Sequence, residues 1–281
     1  MTHMSELGAA PPTARAVGWE GFVNARDLGG LPTRDGGQTR FGAFVRSAAP
    51  RFVTAAGWQA AYDAGLRTII DLRNPDEIHP DLPRPSPAGS NSRLLDGAPP
   101  PPPGIGRVEV AIDDADDVAL WRWIKDQGIN GTPLYYRPFL DAKAERCAAA
   151  LRVLAATGPG TVLFHCAVGR DRTGLVTLLL LSLAGVEPDA IADDYAASAT
   201  ALAPVYSLLG LSDQNAYVTA LLTRHGTTTR QAILDLLDGF DAETYLRAAG
   251  VPPTELAALR GRLTAPKTSG NPVEPPLQSR P

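Results

Sequence analysis

Apolar residues along this chain fall into short β-branched runs that alternate with longer stretches of helical spacing. Runs rich in Val, Ile and Phe predict strands at 40–47, 67–72, 107–112 and 160–166. Apolar residues three or four positions apart predict helices at 54–65, 113–128, 141–158, 174–184, 188–198, 203–209, 212–225, 229–237, 242–249 and 252–263. Strands that alternate with helices predict an α/β fold, with a largely parallel central sheet flanked by helices and a helical C-terminal half.

Three stretches lack such a pattern and are rich in Pro, Gly and Ser. Residues 1–16 and 264–281 are predicted to be disordered tails, which leaves a single domain over 17–263. Within that domain, residues 83–106 contain a run of five prolines and are predicted to form a surface loop of polyproline type. We interpret this loop as a spacer before the next strand, with a partner-docking motif as the alternative.

Composition limits the class of partner. The 281 residues carry a formal net charge of −4, so no overall basic field predicts a nucleic-acid partner. The longest apolar stretch, at 174–186, is too short to span a bilayer, and the N-terminus lacks the pattern of a signal peptide. Two cysteines are too few for a disulfide scaffold, so a cytoplasmic location is expected, with export by a route that needs no cleaved signal left open.

The candidate chemistry lies in ten residues, HCAVGRDRTG at 165–174. Cys166 ends a predicted strand, and the loop after it enters a predicted helix. The N–H groups of a tight loop before a helix converge on an anion, and the helix dipole adds to their effect. Gly169 permits a positive φ in this loop, and Arg172 can donate two hydrogen bonds to one phosphate. The pattern predicts an anion site with a cysteine at its base.

The same surroundings favour the thiolate form of Cys166, because a helix N-terminus and nearby cations stabilise negative charge on sulfur. Cys166 is therefore the predicted nucleophile, and Thr173 is placed to donate its hydroxyl to the thiolate. His165 is predicted to lie behind the loop and to fix its geometry through a ring N–H. The alternative for Cys166 is a buried structural thiol, which is the role that we assign to Cys147 inside its helix.

A cysteine, five residues, an arginine and then Thr-Gly is the signature of the cysteine-dependent protein-tyrosine phosphatases, and this loop resembles it closely. The aspartate before the arginine makes the loop similar to those of an atypical bacterial branch, the mycobacterial type B, which carry HCxxGKDRTG. Other stretches that resemble this branch are FVNARDLGG at 22–30, VRSAAP at 45–50, TIIDLRNPDE at 68–77 and the helices at 245–263. The resemblance covers roughly residues 19–263, with Arg170 standing where the branch usually has lysine.

The resemblance implies a protein-tyrosine phosphatase that works through a phosphocysteine, without a cofactor or a metal. The phosphate site would consist of the loop residues Ala167, Val168, Gly169, Arg170, Asp171, Arg172 and Thr173. Members of the branch act on phosphotyrosine, and sometimes on phosphoserine, phosphothreonine or phosphoinositides, so the expected partner is a phosphorylated protein or lipid. Arg170 beside Arg172 would suit a second phosphate, as in an inositol lipid.

The proton for the leaving group has two principal candidate donors. Asp171 lies in the loop itself, and its alternative role is a salt bridge to an arginine. Asp71 ends a predicted strand, and neighbouring parallel strands end at the same edge of a sheet. The alternative for Asp71 is to cap a turn or to hold Arg73 or Arg172.

Two further segments carry charged or aromatic clusters. Asp113 and Asp114 lie where other phosphatases carry a mobile acid, although the acidic stretch that they begin is also typical of an exposed helix start. The aromatic region 113–140 is a candidate lid over the site, or a wall for an aromatic leaving group. Arg26 and Asp27 are predicted to form a buried ion pair that pins the N-terminal segment.

Two other functions use the same loop. A binding module would hold a phosphorylated partner without hydrolysing it, but such a module needs no nucleophile. Sulfur transfer or arsenate reduction would use the cysteine on another oxyanion, but arsenate reduction generally needs further thiols and the chain offers only Cys147. No cluster of His, Asp and Glu has the spacing of metal ligands, so no metal site is predicted.

Overall fold

The structure, a computed structural model, describes residues 14–79, 98–208, 212 and 214–264. Its sheet contains β1 (Arg26–Asp27), β2 (Phe44–Ser47), β3 (Leu66–Asp71), β4 (Gly106–Glu109) and β5 (Thr161–His165), in the spatial order β1-β2-β5-β3-β4. β1 is antiparallel to β2, and the other neighbouring strands are parallel. The predicted α/β fold with a largely parallel sheet is confirmed.

Helices surround this sheet and make up most of the C-terminal half, as predicted. They are α1 (Ala55–Asp63), α2 (Pro75–Ile78), α3 (Val118–Asp126), α4 (Tyr136–Ala142), α5 (Ala144–Ala155), α6 (Asp171–Leu183), α7 (Pro188–Leu208), α8 (Gln214–Arg224), α9 (Thr229–Leu237), α10 (Ala242–Ala248) and α11 (Pro253–Leu263). A short 3-10 helix, Pro133–Tyr135, leads into α4. Thr54 is the N-cap of α1, since its hydroxyl oxygen accepts the Gly57 N–H at 3.0 Å.

The sheet separates two apolar cores. The larger core lies between the sheet and most of the helices, with α6 at its centre and nearly all of that helix buried. The smaller core lies on the other face, where Trp58 of α1 packs with Val45 and Leu163. β5 is buried along its whole length because it lies in the middle of the sheet between both cores. A continuous apolar run of this kind is typical of a strand that is buried on both faces.

The carboxyl ends of β2, β5 and β3 meet at one edge of the sheet. Ser47 of β2 and Asp71 of β3 both lie in register with His165 of β5. Cys166, the next residue, therefore emerges between the ends of two neighbouring strands. In parallel sheets of α/β proteins this is the edge at which ligands bind.

The N-terminal segment is more ordered than predicted. Residues 26–27 form β1, which no strand prediction covers, because a strand of only two residues shows no alternation that a sequence pattern can report. The tail was predicted to extend through residue 16. Instead, Ala16 forms a β-bridge with Arg26, and the Arg15 side chain forms an ion pair with Asp194 of α7.

The predicted ion pair between Arg26 and Asp27 is wrong. Adjacent residues of a strand point to opposite faces, so the two side chains do not face each other. Arg26 pairs instead with Asp194, at 2.9 Å between Nε and Oδ1. The Asp27 carboxylate accepts the N–H groups of Gly29 and Gly42, at 2.7 and 2.8 Å.

Two elements have different lengths from those predicted. The helices expected at 188–198 and 203–209 form one helix, α7, which continues through Pro204. A proline removes one helical hydrogen bond, but Leu202 and Tyr206 on either side of it are buried, and this packing holds the helix together. The strand expected at 107–112 is shortened to β4, which is exposed at the edge of the sheet.

Most of the predicted tails and much of the proline-rich loop lie outside the described residues. At the described end of that loop, the Pro99 carbonyl accepts the Trp58 indole N–H at 2.8 Å, which joins the loop to α1. Across the part of the chain that the structure describes, no helix combines the length and the apolar character needed to cross a membrane.

Candidate active site

The loop after β5 curls tightly before α6 begins. Cys166 is 2% exposed at the start of this loop. Gly169 has a φ of +71°, and a Cβ atom there would lie 2.3 Å from the carbonyl oxygen of Ser47. Both the backbone conformation and the lack of space therefore require glycine, and the predicted positive φ is confirmed. α6 then begins at Asp171, so its N-terminus points its free N–H groups toward the loop.

His165 lies behind the loop, with 1% of its surface exposed. Its Nδ1 lies 3.0 Å from the Cys166 carbonyl oxygen, and since a carbonyl only accepts, Nδ1 carries the proton. Burial lowers the pKa of His165, against the opposing effect of Asp71, and this favours a neutral ring. The geometry matches the role that the sequence predicts for this side chain.

Carboxylates hold Arg172 from two sides. Glu77 of α2 accepts from both terminal nitrogens, with 2.9 Å between Nη2 and Oε1 and a second bond from Nη1 to Oε2. Asp113 Oδ2 lies 3.3 Å from Nε. Burial lowers the pKa of Arg172, but Asp113, Glu77 and the nearby Cys166 hold it well above its usual value. The guanidinium is therefore charged, fixed in place and in electrostatic contact with the cysteine.

Glu77 is a site residue to which the sequence analysis gave no role. It lies in the first turn of α2, where its Oε2 also accepts the backbone N–H of Asn74 at 3.0 Å. An Asn followed three residues later by Glu is a pattern typical of a helix cap, which is a sufficient explanation at the level of sequence. The contact with Arg172 depends on how α2 packs against α6, and only the structure shows it.

Asp113 follows β4 and has an environment unlike that of most carboxyl groups. Burial raises its pKa to about 6; Arg172 opposes this shift, while Glu77 and Asp171 add to it. The side chain is 18% exposed, so a ligand at the edge of the sheet can reach it. Asp114 differs, because its carboxylate is paired with two basic side chains at 2.8 and 3.0 Å.

Asp71 is fully buried at the end of β3. Its Oδ2 accepts from Arg73 at 2.8 Å and from Arg107 at 2.6 Å, and His165 Nε2 lies 3.6 Å away. Burial raises the pKa of Asp71, but His165 and the two arginines outweigh burial and hold it well below the usual range. A carboxyl that stays ionised has no proton to donate. These contacts favour the alternative in which Asp71 holds Arg73.

Asp171 is bound on several sides at the start of α6. Its Oδ1 accepts from the Tyr195 hydroxyl at 3.1 Å and from Arg170 Nε at 3.2 Å. Its backbone carbonyl accepts from the Tyr136 hydroxyl at 2.6 Å. Arg170 also donates from Nη2 to the Gly131 carbonyl at 3.3 Å. The contact with Arg170 is the salt bridge that the sequence offers as the alternative role of Asp171.

The remaining loop residue and the second cysteine are both buried. Thr173, the residue after Arg172, is fully buried, and its hydroxyl oxygen has no hydrogen-bond partner among the described residues. Cys147 lies on the buried face of α5, and burial raises the pKa of its thiol to about 12. Such a thiol is unreactive at neutral pH, in keeping with the packing role predicted for it.

Within the described ranges, no three His, Cys, Asp or Glu side chains form a group that would hold a metal ion.

The region 113–140, the candidate lid, packs beside the loop. Trp121 contacts the rings of Tyr135 and Phe139 at centroid distances of 6.1 and 6.0 Å, whereas Trp123 is 47% exposed. The contacts from Gly131 and Tyr136 to the start of α6 tie this region to the loop. The region thus forms one side of the site, and its closure as a lid stays a prediction.

The chain is similar to tyrosine phosphatases along most of its length. The profile of the tyrosine phosphatase family matches residues 17–265. A protein of Cupriavidus necator named as a tyrosine-protein phosphatase is 31% identical over 91% of this chain and 93% of its own. The triple specificity protein phosphatase PtpB of Mycobacterium tuberculosis is 30% identical over 82% of this chain and 85% of its own. A tyrosine-protein phosphatase of Nostoc commune is 32% identical over 56% of this chain and 48% of its own.

Proposed function

The chain belongs to the tyrosine phosphatase family, and from this premise we propose which residues carry out its hydrolysis of phosphorylated proteins. The Cys166 thiolate attacks phosphorus, the ester P–O bond breaks, and its electron pair goes to the leaving oxygen, which takes a proton. Water then attacks the phosphocysteine and gives up a proton. The S–P bond breaks, its electron pair returns to sulfur, and inorganic phosphate leaves.

The observation that carries this proposal is the placement of Arg172, which lies in the first turn of α6 directly after the loop that begins with Cys166 and is braced by Glu77. Arginine has five N–H donors; Glu77 takes one from each terminal nitrogen, and Nε faces Asp113. One N–H on each terminal nitrogen remains for phosphate oxygens, on which negative charge spreads in the transition state. The N–H groups at the start of α6 add donors aimed at the same charge.

We assign the proton transfer to Asp113 rather than to Asp171 or Asp71. A general acid needs a pKa near the working pH, and the pKa of Asp113 is raised to about 6. It touches the same guanidinium that would hold the phosphate, so the leaving oxygen lies within its reach. In the second step the Asp113 carboxylate takes the proton from the attacking water, which restores the starting state.

The nucleophile is tested by hydrolysis of p-nitrophenyl phosphate. Cys166→Ser is expected to lose essentially all activity, while Cys147→Ala, the matched control, keeps it. Mass spectrometry of wild-type enzyme quenched during turnover is expected to find a phosphoryl group on the peptide that contains Cys166. Equal rates for Cys166→Ser and the wild type would overturn the mechanism.

The chemistry proposed here uses only side chains and water, so chelation is a second test. EDTA is expected to leave the rate unchanged, whereas vanadate, which resembles the transferring phosphoryl group, is expected to inhibit. Loss of activity in EDTA that added divalent metal restores would point to a metal-dependent hydrolase instead.

We propose phosphotyrosine as the preferred substrate, with phosphoserine and phosphothreonine accepted as well. The aromatic region 113–140 beside the loop supports a preference for an aryl ester. The name of the mycobacterial relative, a triple specificity phosphatase, supports the wider range. Peptides of one sequence that carry each phosphoresidue in turn would measure the preference as a ratio of kcat/KM. A faster reaction with phosphoserine than with phosphotyrosine would contradict it.

Phosphoinositides are a second candidate substrate, and one feature of Arg170 favours them. Its Nη1 is buried and has no hydrogen-bond partner among the described residues, so the guanidinium has a donor to spare for a second phosphate. The side chain is otherwise engaged by Asp171 and Gly131. Phosphate release from vesicles that contain phosphatidylinositol phosphates tests this candidate. Arg170→Gln should lower that rate more than the rate with a phosphotyrosine peptide.

A further inference from the structure

The stretch VNARDLGG contains a residue that the mechanism does not use. Asn24 has a φ of +51°. Among the described residues it is the only residue other than glycine that has a positive φ. It is 6% exposed, so this conformation is held by its surroundings. Left-handed backbone at a non-glycine residue is unfavourable and persists where surrounding contacts determine it. Asparagine tolerates it better than most residues.

The Asn24 side chain reaches the loop that follows Cys166. Its Nδ2 donates to the carbonyl oxygen of Val168 at 3.1 Å and to that of Gly169 at 3.0 Å. Its Oδ1 accepts from Arg26 Nη1 at 2.7 Å. Because a guanidinium only donates, this contact fixes which end of the amide faces the loop. Asn24 can present only its NH₂ group to the two carbonyls.

A buried carboxylate organises these contacts. Asp194 of α7 pairs with Arg26, at 2.9 Å between Oδ1 and Nε, and with Arg46, at 2.5 Å between Oδ2 and Nη1. Arg46 in turn donates from Nη2 to the Gly169 carbonyl at 2.8 Å. The arginines surround Asp194 and, although burial raises its pKa, they hold it well below the usual range. Through these two arginines, Asp194 acts on the same carbonyls as Asn24.

The carbonyls of the loop are bound one after another by protein donors. Their partners are the His165 ring for Cys166, the Ala49 N–H for Ala167, Asn24 for Val168, and Asn24 with Arg46 for Gly169. In a planar trans peptide the carbonyl and the following N–H point in opposite directions. Because the surrounding protein binds these four carbonyls, the four N–H groups that follow them point away from that protein and toward the interior of the loop. They belong to Ala167, Val168, Gly169 and Arg170, and among the described residues none of the four has a backbone hydrogen-bond partner.

We propose that Asn24 is a positioning residue for phosphate binding, which holds the peptide units of Val168 and Gly169 so that their N–H partners face the substrate. The inference rests on the proposed role of the loop in catalysis. Asn24 does not touch the reacting atoms, and its strained backbone is the local cost of placing its amide under the loop. Arg26, Arg46 and Asp194 keep that amide in its orientation.

Two substitutions separate the hydrogen bonds from the fold. Asn24→Gly removes the amide but keeps the left-handed backbone free of strain. Asn24→Asp keeps the size of the side chain and the contact with Arg26 but has no N–H to donate. Removing one oxyanion donor typically costs about 10²–10³ in kcat, and turning two donors out of line is expected to cost about 10-fold to 100-fold. The inhibition constants of phosphate and vanadate should rise by about the same factor in both variants.

The control is Asp27→Asn, three residues further along the chain. Asp27 caps the N–H groups of Gly29 and Gly42 and does not contact the loop, so its loss should lower the Tm without changing the phosphate inhibition constant. A merely structural role for Asn24 would give the same result as this control. Unchanged inhibition constants in both folded Asn24 variants would overturn the proposal.

A measurement on the wild type covers the case in which neither variant folds. In a ¹⁵N spectrum, added phosphate should shift the amide signals of Gly169 and Arg170, and their failure to shift would also overturn the proposal. The proposed catalytic mechanism fails separately, through an active Cys166→Ser variant. An inactive Cys166→Ser variant beside unaffected Asn24 variants would remove only the positioning role.

Discussion

Asp71 ends β3, and Asp113 follows the neighbouring parallel strand β4. Both carboxyl groups contact arginine, yet their pKa values are shifted in opposite directions. Asp71 faces Arg73, Arg107 and His165, which hold its pKa well below the usual range although burial raises it. Burial raises the pKa of Asp113 to about 6. Arg172 is its principal cationic neighbour, but Arg172 is shared with Glu77 and does not offset the effect of burial. The number of cations per carboxylate decides which one can hold a proton.

The difference teaches that position at a strand end does not identify an acid. Both residues lie at the edge where the substrate is expected, and desolvation acts on both. Asp71 is stabilised as a carboxylate by charge-assisted hydrogen bonds, which suits a structural role. Asp113 competes with Glu77 for one guanidinium and is therefore the less stabilised of the two.

The substitution with the largest expected effect is Asp113→Asn. The proposed general acid is lost while the amide can still contact Arg172, so kcat with an aryl phosphate should fall by about 10²–10⁴. The Tm should change little. Phosphate release by the matched Asp71→Asn variant, corrected for its folded fraction, should stay within a few-fold of the wild type. A larger loss in Asp71→Asn than in Asp113→Asn would reverse the assignment.

The free energy of unfolding should show the opposite order, with a larger loss in Asp71→Asn than in Asp113→Asn. Asp71→Asn leaves Arg73 buried without its main counter-ion, and breaking such a pair costs about 3–5 kcal/mol in the free energy of unfolding. Urea denaturation at neutral pH measures this loss, with Asp113→Asn as the control that should remain near the wild type. A loss below about 1 kcal/mol would show that Asp71 is not a structural anchor.

The dependence of stability on pH extends that test. Because the pKa of folded Asp71 is lowered, its contribution is fully present above its unfolded pKa of about 3.9 and is lost as the pH falls through the folded value. The wild type should therefore lose more stability than Asp71→Asn on acidification below pH of about 4. Parallel curves for the two proteins would contradict the assignment.

A pH–rate profile sharpens the assignment of Asp113. An acid with a pKa of about 6 is protonated below that pH, so kcat with an aryl ester should fall about tenfold per pH unit above it. The fall should be absent in Asp113→Asn. If it persists there and disappears in Asp171→Asn, the proton comes from the loop aspartate instead.

The smallest expected effect comes from the partly exposed partner of Asp71. Arg107 is 42% exposed at its side chain, so solvent screens its pair with Asp71. Arg107→Gln is expected to lower the free energy of unfolding by about 0.5–1 kcal/mol and to leave kcat unchanged. A loss as large as that of Asp71→Asn would mean that Arg107, rather than Arg73, is the main partner of this carboxylate.

The ten residues from His165 to Gly174 could be interpreted from sequence because their order along the chain is itself informative. A strand, a glycine that permits a positive φ and a helix start follow one another there, and together they predict a tight loop. The side chains around it could not be placed in this way. Glu77 has the sequence pattern of an ordinary helix cap, and Arg26 appeared to pair with its neighbour Asp27.

The sequence by itself therefore determined the fold class and predicted the nucleophile and the phosphate loop, since each depends on periodicity or on residues a few positions apart. Only the tertiary structure decided which carboxyl group is able to keep a proton, and that Arg172 is braced by Glu77. It also brought Asn24 beneath a loop more than a hundred residues away. Charge balance and hydrogen-bond direction are properties of atoms from separate elements, and no single stretch of chain contains them.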